Sequence, residues 1–253
     1  MSVLKLQELS FSYGKKPVLH NVTIDFPTHG SVFLLGRNGV GKSTLIKCIL
    51  GLLTPASGDV IYQDKSLQEL TRREIAQIIS YVPQVNSIIP EFTVFEMVLM
   101  GANALMHPLA QPSVYDYERV DGVLELLGIT PLRDSYYSKI SGGEQRLTLI
   151  ARALMTKSKI IVMDEPCANL DFANQHWIQR HIRTLSDLGF LIIQSSHDPN
   201  QIFRYGDSVL LLKQNQQYSY GKPDQLLTKE CLHDVYEIDA DVIELKGNPY
   251  VII

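Results

Sequence analysis

Cysteine is scarce in this 253-residue chain: Cys48, Cys167 and Cys231 are the only three, and no two form a C-x-x-C pair. That spacing excludes a disulfide framework and a cysteine zinc site. It fits a reducing compartment and leaves each thiol as a small packing residue. Long apolar runs are missing too. Nothing reaches the about 18 to 20 residues that a membrane-spanning helix needs. The opening stretch MSVLKLQELSFSY alternates like a strand and lacks the apolar core of a secretion signal. The chain is expected not to cross a membrane, though it can dock against a protein that does. No charge of one sign dominates. A formal net charge of −4 and a pI near 6.0 argue against a general nucleic-acid surface. Internal repeats, heptad runs and low-complexity tracts are also absent.

Hydrophobic residues make up 45% of the chain and charged residues 20%, the balance of a globular protein with one substantial core. Residues 3–35 read as strands and turns ending in the apolar run SVFLL. TLIKCILGLL then has helical spacing, DVIYQDKSL reads as a strand and turn, and TRREIAQIISYVPQ as a helix feeding a strand. From about residue 91, TVFEMVLMGANAL, DYERVDGVLELLGI and GGEQRLTLIARALM all carry i, i+3, i+4 apolar spacing, a helical insert. Strand and helix alternate again from KIIVMDEP through FLIIQSSHD to DSVLLLKQN. The expected fold is α/β, with a mainly parallel sheet, an N-terminal antiparallel β subregion and an inserted helical subdomain. One domain, 1–253, divides into a core (about 1–90 and 158–221), the helical subdomain (about 91–157) and a tail (222–253) of one short helix and extended segments.

Gly36-Arg37-Asn38-Gly39-Val40-Gly41-Lys42-Ser43 fits G-x-x-x-x-G-K-[ST]. The glycines let backbone N–H groups wrap phosphates, and the following helix, with Thr44 in its first turn, points its positive dipole end at them. Lys42 reaches the β and γ phosphates, and Ser43 offers its hydroxyl to Mg²⁺. The strand before the loop and the helix after it supply the context the motif requires, and the expected core is that of a P-loop NTPase, RecA-like. The apolar strand IIVM ends in Asp164-Glu165-Pro166. Asp164 is placed to hold Mg²⁺, and Glu165 to polarise the attacking water. A helix-capping acid would explain one carboxylate there, but not two adjacent ones before a proline. His197 lies just past the strand FLIIQSS, where open α/β sheets put ligand-binding residues, and is expected to contact the γ phosphate. The other six histidines have no such context.

Ser141-x-x-Glu144 is a capping box, as are Thr71-x-x-Glu74 and Thr93-x-x-Glu96. Only the box at Ser141 encloses two glycines, Gly142 and Gly143. Glycine costs about 1 kcal/mol relative to alanine in a helix. A pair in the first turn suggests that something approaches the backbone there, and a bare helix N-terminus suits an anion.

With the phosphate loop, VMDEP and ISGGE together, the chain resembles the ATPase subunit of an ABC transporter over essentially its whole length. The signature differs from the commonest Leu-Ser-Gly-Gly-Gln at Ile140 and Glu144. The resemblance implies ATP and Mg²⁺ as ligands. It implies a head-to-tail homodimer in which residues 141–144 of one subunit face the ATP on the other's phosphate loop, with residues 168–171 at the seam. It also implies that Tyr13 stacks on adenine and that Gln84 touches Mg²⁺ or water and senses the membrane subunit. By resemblance the chain sits on the cytoplasmic face of the membrane, paired with transmembrane permease subunits and, indirectly, a substrate-binding protein. TVFEMVLMG and the tail VYEIDADVIELKGNPYVII resemble ATPases of metal-chelate importers, closest to the molybdate/tungstate branch; iron-siderophore, haem and cobalamin are the other expected cargoes. Other classes fit less well. A GTPase would carry Asn-Lys-x-Asp, and a nucleotide kinase has no use for SGGE. DNA-repair and translation ABC ATPases carry a coiled coil or a second cassette. A non-hydrolysing P-loop module has no use for Glu165.

Overall fold

A computed structural model describes residues 3–84, 91–107 and 110–253. The expected boundary between core and helical insert, at residue 90, falls outside these. The chain opens with β1 (Leu4–Tyr13), β2 (Lys16–Asp25) and β3 (Gly30–Leu35), then α1 (Lys42–Ile49), β4 (Ser57–Tyr62), β5 (Lys65–Ser66), α2 (Arg72–Ile78) and β6 (Ile79–Val82). Helices α3 (Val94–Leu99), α4 (Val114–Leu126) and α5 (Gly142–Leu154) follow. Then come β7 (Ile160–Met163), α6 (Phe172–Asp187), β8 (Leu191–Ser196), α7 (Pro199–Tyr205) and β9 (Ser208–Leu212). The chain ends with β10 (Tyr218–Gly221), α8 (Pro223–Leu226), α9 (Lys229–Tyr236), β11 (Asp241–Leu245) and β12 (Asn248–Ile252).

The strands form a four-stranded antiparallel sheet, order β2-β1-β4-β5, and a six-stranded sheet, order β10-β9-β3-β8-β7-β6. Five strands of the larger sheet run parallel, and β10 closes its edge antiparallel to β9. Central strands buried on both faces read as unbroken apolar runs, which is why IIVM and SVFLL lack polar alternation. Their side chains still divide by parity. Val32, Leu34, Ile160, Val162 and Ile193 join the core under the antiparallel sheet and α1. Ile161, Met163 and Ile192 pack with α3, α4, α5 and α6, while Phe33 and Leu35 meet α7 and α9.

Register positions the chemistry. Val82 pairs with Met163, Met163 with Gln194, and Leu35 with Ser196. The carboxyl ends of β6, β7, β8 and β3 therefore stop along one edge of the sheet. Gln84, Asp164, His197 and the phosphate loop follow directly from those ends.

The tail differs from its expected form. It has two helices, not one, and its extended segments pair with each other as the β11–β12 hairpin. The N-terminal capping boxes at Thr71 and Thr93 are both formed, on α2 and α3. A further box, Ser113 with Asp116, starts α4; an acid search limited to glutamate passes over it.

Candidate active site

The phosphate loop is shaped by close approach. Gly36 has φ +152°, and a Cβ there would stand 2.5 Å from the Leu212 carbonyl oxygen, so no side chain fits. Gly41 caps α1 in a left-handed conformation and offers no side chain to its first N–H groups. Lys42 is buried, and its ammonium donates to the Gly36 carbonyl (2.6 Å) and the Arg37 carbonyl (3.2 Å). Burial lowers its pKa from the usual lysine value, while the carboxylates of Glu165 and Asp164 act in the opposite direction.

A cleft of about 260 Å³ lies over the loop. It is lined by Tyr13, Lys16, Val18, Asn38, Gly39, Gly41, Lys42, Ser43, Thr44 and Glu165. Tyr13, half exposed, closes one side with its ring edge on Phe11, 4.9 Å between centroids. The cleft thus collects loop N–H groups, the ammonium groups of Lys16 and Lys42, the hydroxyls of Ser43 and Thr44, a carboxylate and an aromatic ring.

At the end of β7 the two acids diverge. Asp164 donates its backbone N–H to the Val82 carbonyl and accepts from the Ser195 hydroxyl at Oδ1 (2.7 Å). Ser195 Oγ in turn accepts from the Glu165 N–H at 2.8 Å. Glu165 has φ +45°, uncommon for a residue with a Cβ, and this turns its carboxylate toward the cleft and toward the Gln84 amide, which donates to it at 3.3 Å. His197 is exposed and shares a small pocket with Glu165, Pro166 and Ser195. Ser195 escaped sequence reasoning, although a polar residue inside an apolar strand, two positions before His197, was a visible signal.

Residues 141–144 do not line this cleft. Ser141 caps α5, and Glu144 answers with 2.8 Å and 2.7 Å bonds from the Ser141 N–H and hydroxyl. Gln145 donates to the carbonyls of Tyr137 and Ile140. Arg146, buried, donates to the Pro83 carbonyl at 2.8 Å and so ties α5 to the strand end that carries Gln84. Sequence reading had given Arg146 no role. Gly143 is buried, and a Cβ there would come within 2.9 Å of Asn174 Oδ1 and 3.5 Å of the Trp177 ring. A side chain at 143 would therefore displace the Asn174 amide, which is bonded to Asp171 at 2.7 Å. Only Gly142, exposed and 3.2 Å from Leu170 Cδ2 at its would-be Cβ, retains the open backbone expected of both.

Residues 19–168 match the ABC transporter family. This chain belongs to that family. An ABC transporter ATP-binding protein of Haemophilus influenzae, itself uncharacterized, is 35% identical over 98% of this chain and 95% of its own length. The hemin import ATP-binding protein HmuV of Shewanella denitrificans is 30% identical over 99% and 100%. Among solved structures, an inward-facing metal-chelate type ABC transporter, described as putative, superposes with a TM-score of 0.87 at 27% identity, covering 99% of this chain and 96% of that one. This ABC protein is an ATP-binding subunit whose ATP hydrolysis is coupled to transport. None of these three relatives is named for molybdate or tungstate. Among the described residues, no helix is long and apolar enough to cross a membrane.

Proposed function

We propose that this chain is the ATPase subunit of a bacterial importer for a metal chelate, of the haem or iron-siderophore type, acting as a homodimer beneath two transmembrane permease subunits and served by a substrate-binding protein. The observation that carries the site is the register of the parallel sheet, which brings the phosphate loop, Asp164 with Glu165, Gln84 and His197 to one edge. The cargo class rests on the names of relatives that match nearly end to end. Molybdate or tungstate is the finer reading and rests on resemblance alone.

Within that reading the single cassette, 1–253, keeps its core, helical subdomain and tail in the divisions given above. Tyr13 stacks on adenine. The loop residues 36–44 bind the phosphates, and Lys42 leaves the Gly36 and Arg37 carbonyls to meet them. Ser43, Asp164 and Gln84 present hydroxyl, carboxylate and amide oxygens, a donor set that suits Mg²⁺, which supplies charge neutralisation of the phosphates when bound. Glu165, held by Gln84, orients the attacking water, and His197 contacts the γ phosphate. Residues 141–144 of the partner complete the site, so dimer closure and hydrolysis are coupled.

The test uses Glu165→Gln, which keeps the shape and loses the charge. ATP binding is expected to persist while hydrolysis falls by about 100-fold, the scale of losing a catalytic group. ATP is expected to drive the variant to a dimer by size-exclusion chromatography. Wild-type turnover would remove Glu165 from the role, and a monomer with ATP bound would remove the shared site. For cargo, a strain lacking this chain should fail to grow on haem or a ferric siderophore as sole iron source. Normal growth there, with failure under molybdate limitation, would select the finer reading.

A further inference from the structure

The C-terminal tail reaches back to the phosphate loop. Helix α9 ends at Tyr236, and Glu237 caps it in a left-handed conformation, φ 57°, with its N–H donating to the His233 carbonyl. That turn aims the Glu237 carboxylate at the loop's second residue. Arg37 Nη1 lies 2.8 Å from Glu237 Oε1, and Gln214 Nε2 donates to the same oxygen at 3.0 Å. The Arg37 carbonyl is one of the two that receive the Lys42 ammonium. A line of contacts thus runs Glu237, Arg37, Lys42.

The anchor is itself held. Leu232 and Val235 bury one face of α9. Lys229 pairs with Asp241 at 2.6 Å, tying α9 to β11. On β12, the Val251 N–H and carbonyl both bond the Asn200 side chain, at 2.7 Å and 3.2 Å. Asn200 lies in the first turn of α7, whose cap Asp198 follows His197. The tail is therefore fastened at two places, to the phosphate loop through Arg37 and to the first turn of α7 through Asn200.

We propose that Glu237 is a positioning residue for nucleotide binding. Its ion pair holds Arg37, and with it the loop backbone whose Arg37 carbonyl receives the Lys42 ammonium until the phosphates take it. The inference rests on the phosphate-loop reading above. The Arg37 and Glu237 side chains are 42% and 64% exposed, so the effect is modest and screened by salt.

Glu237→Gln, Arg37→Ala, the double variant and Lys42→Ala are compared by ATPase kinetics at low and high salt, with thermal melting as control. Glu237→Gln is expected to raise the KM for ATP about three- to fivefold at low salt, with kcat within about twofold and the melting temperature within about 1 °C, as suits an exposed pair. At high salt its KM should converge on the wild-type value, and in the Arg37→Ala background the substitution should have no effect. An unchanged KM at low salt, an equal shift in the Arg37→Ala background, or a change that follows a fall in melting temperature would each overturn the proposal. If Lys42→Ala is inactive while Glu237→Gln behaves as wild type, only the tail's role fails. If Lys42→Ala turns over normally, the phosphate-loop reading fails and takes the tail's role with it.

Discussion

The helix after the phosphate loop and the helix after Ser141 both open on glycine, yet they satisfy their first N–H groups in opposite ways. Gly41 gives α1 no side-chain cap, and the loop before it is forced into shape by the Leu212 carbonyl pressing on Gly36. The N–H groups there are left for a ligand, with a buried ammonium beside them. At α5 the chain caps itself, with Ser141 and Glu144 bonded reciprocally and Gly143 packed under Asn174 and Trp177. One N-terminus is a nest built for phosphate. The other is a finished helix start, with Ser141 and Gly142 exposed, Glu144 half-buried and Gly143 buried. Glycine in a first turn thus has two separate causes in one chain, room for a ligand and room for a neighbouring helix.

Lys42→Ala tests the first N-terminus most severely. The ammonium is buried against two loop carbonyls, with two acidic neighbours. Phosphate release is expected to fall at least about 100-fold, in keeping with the loss of a charged phosphate clamp. Turnover within a few-fold of wild type would mean that the cleft over Gly36 and Gly41 is not where ATP reacts.

Much of this contrast was legible in the sequence. The order of strands and helices followed from helical spacing in the helices and from the short length and bounding turns of IIVM, SVFLL and FLIIQSS, which mark strands buried on both faces. Asp164, Glu165 and His197 were legible because each follows such a strand, and parallel pairing aligns the ends. What was not legible depended on contacts between residues far apart in the chain. Gly143 needs Trp177 and Asn174 from α6, and Ser195 matters only because β7 and β8 are neighbours. Arg146 finds the Pro83 carbonyl 63 positions away. Glu237 looked like tail until α9 placed it on Arg37. Spacing along one element carries its periodicity, but not which partner a side chain meets across the fold.

Gly142→Ala and Gly143→Ala divide the second N-terminus. At Gly143 the new methyl meets Asn174 Oδ1 at 2.9 Å, so the Asn174 side chain must shift against its 2.7 Å bond to Asp171. Overpacking of that kind costs about 1 to 3 kcal/mol. In a chain of this size that is about 2 to 12 °C in melting temperature. Hydrolysis should fall with it. At Gly142 the neighbour is the end of the Leu170 side chain at 3.2 Å, which can turn away, and alanine favours helix. Stability should hold or rise slightly, while hydrolysis falls if the open backbone at 142 meets the partner's ATP. Equal losses of stability in the two variants would refute the division, and full activity in Gly142→Ala would leave this N-terminus without an outward role.

The smallest effect is expected from Ser141→Ala, and it needs a control because Ser141 has two possible duties. Ser113 supplies one: it caps α4 through the same reciprocal box, with Asp116 in place of the glutamate, and lies outside the proposed site. Each serine-to-alanine change removes a cap worth about 1 kcal/mol, so both proteins should melt about 2 to 4 °C lower. If Ser141 does no more than cap, the two variants will also share one hydrolysis rate. The reading in which Ser141 faces ATP on the partner requires more. Its loss must then slow hydrolysis several-fold beyond Ser113→Ala at matched stability, and it must weaken the ATP-dependent dimer that Glu165→Gln is expected to trap. A Ser141→Ala protein that melts like the control and hydrolyses like the control would reduce the motif at 141–144 to a helix start.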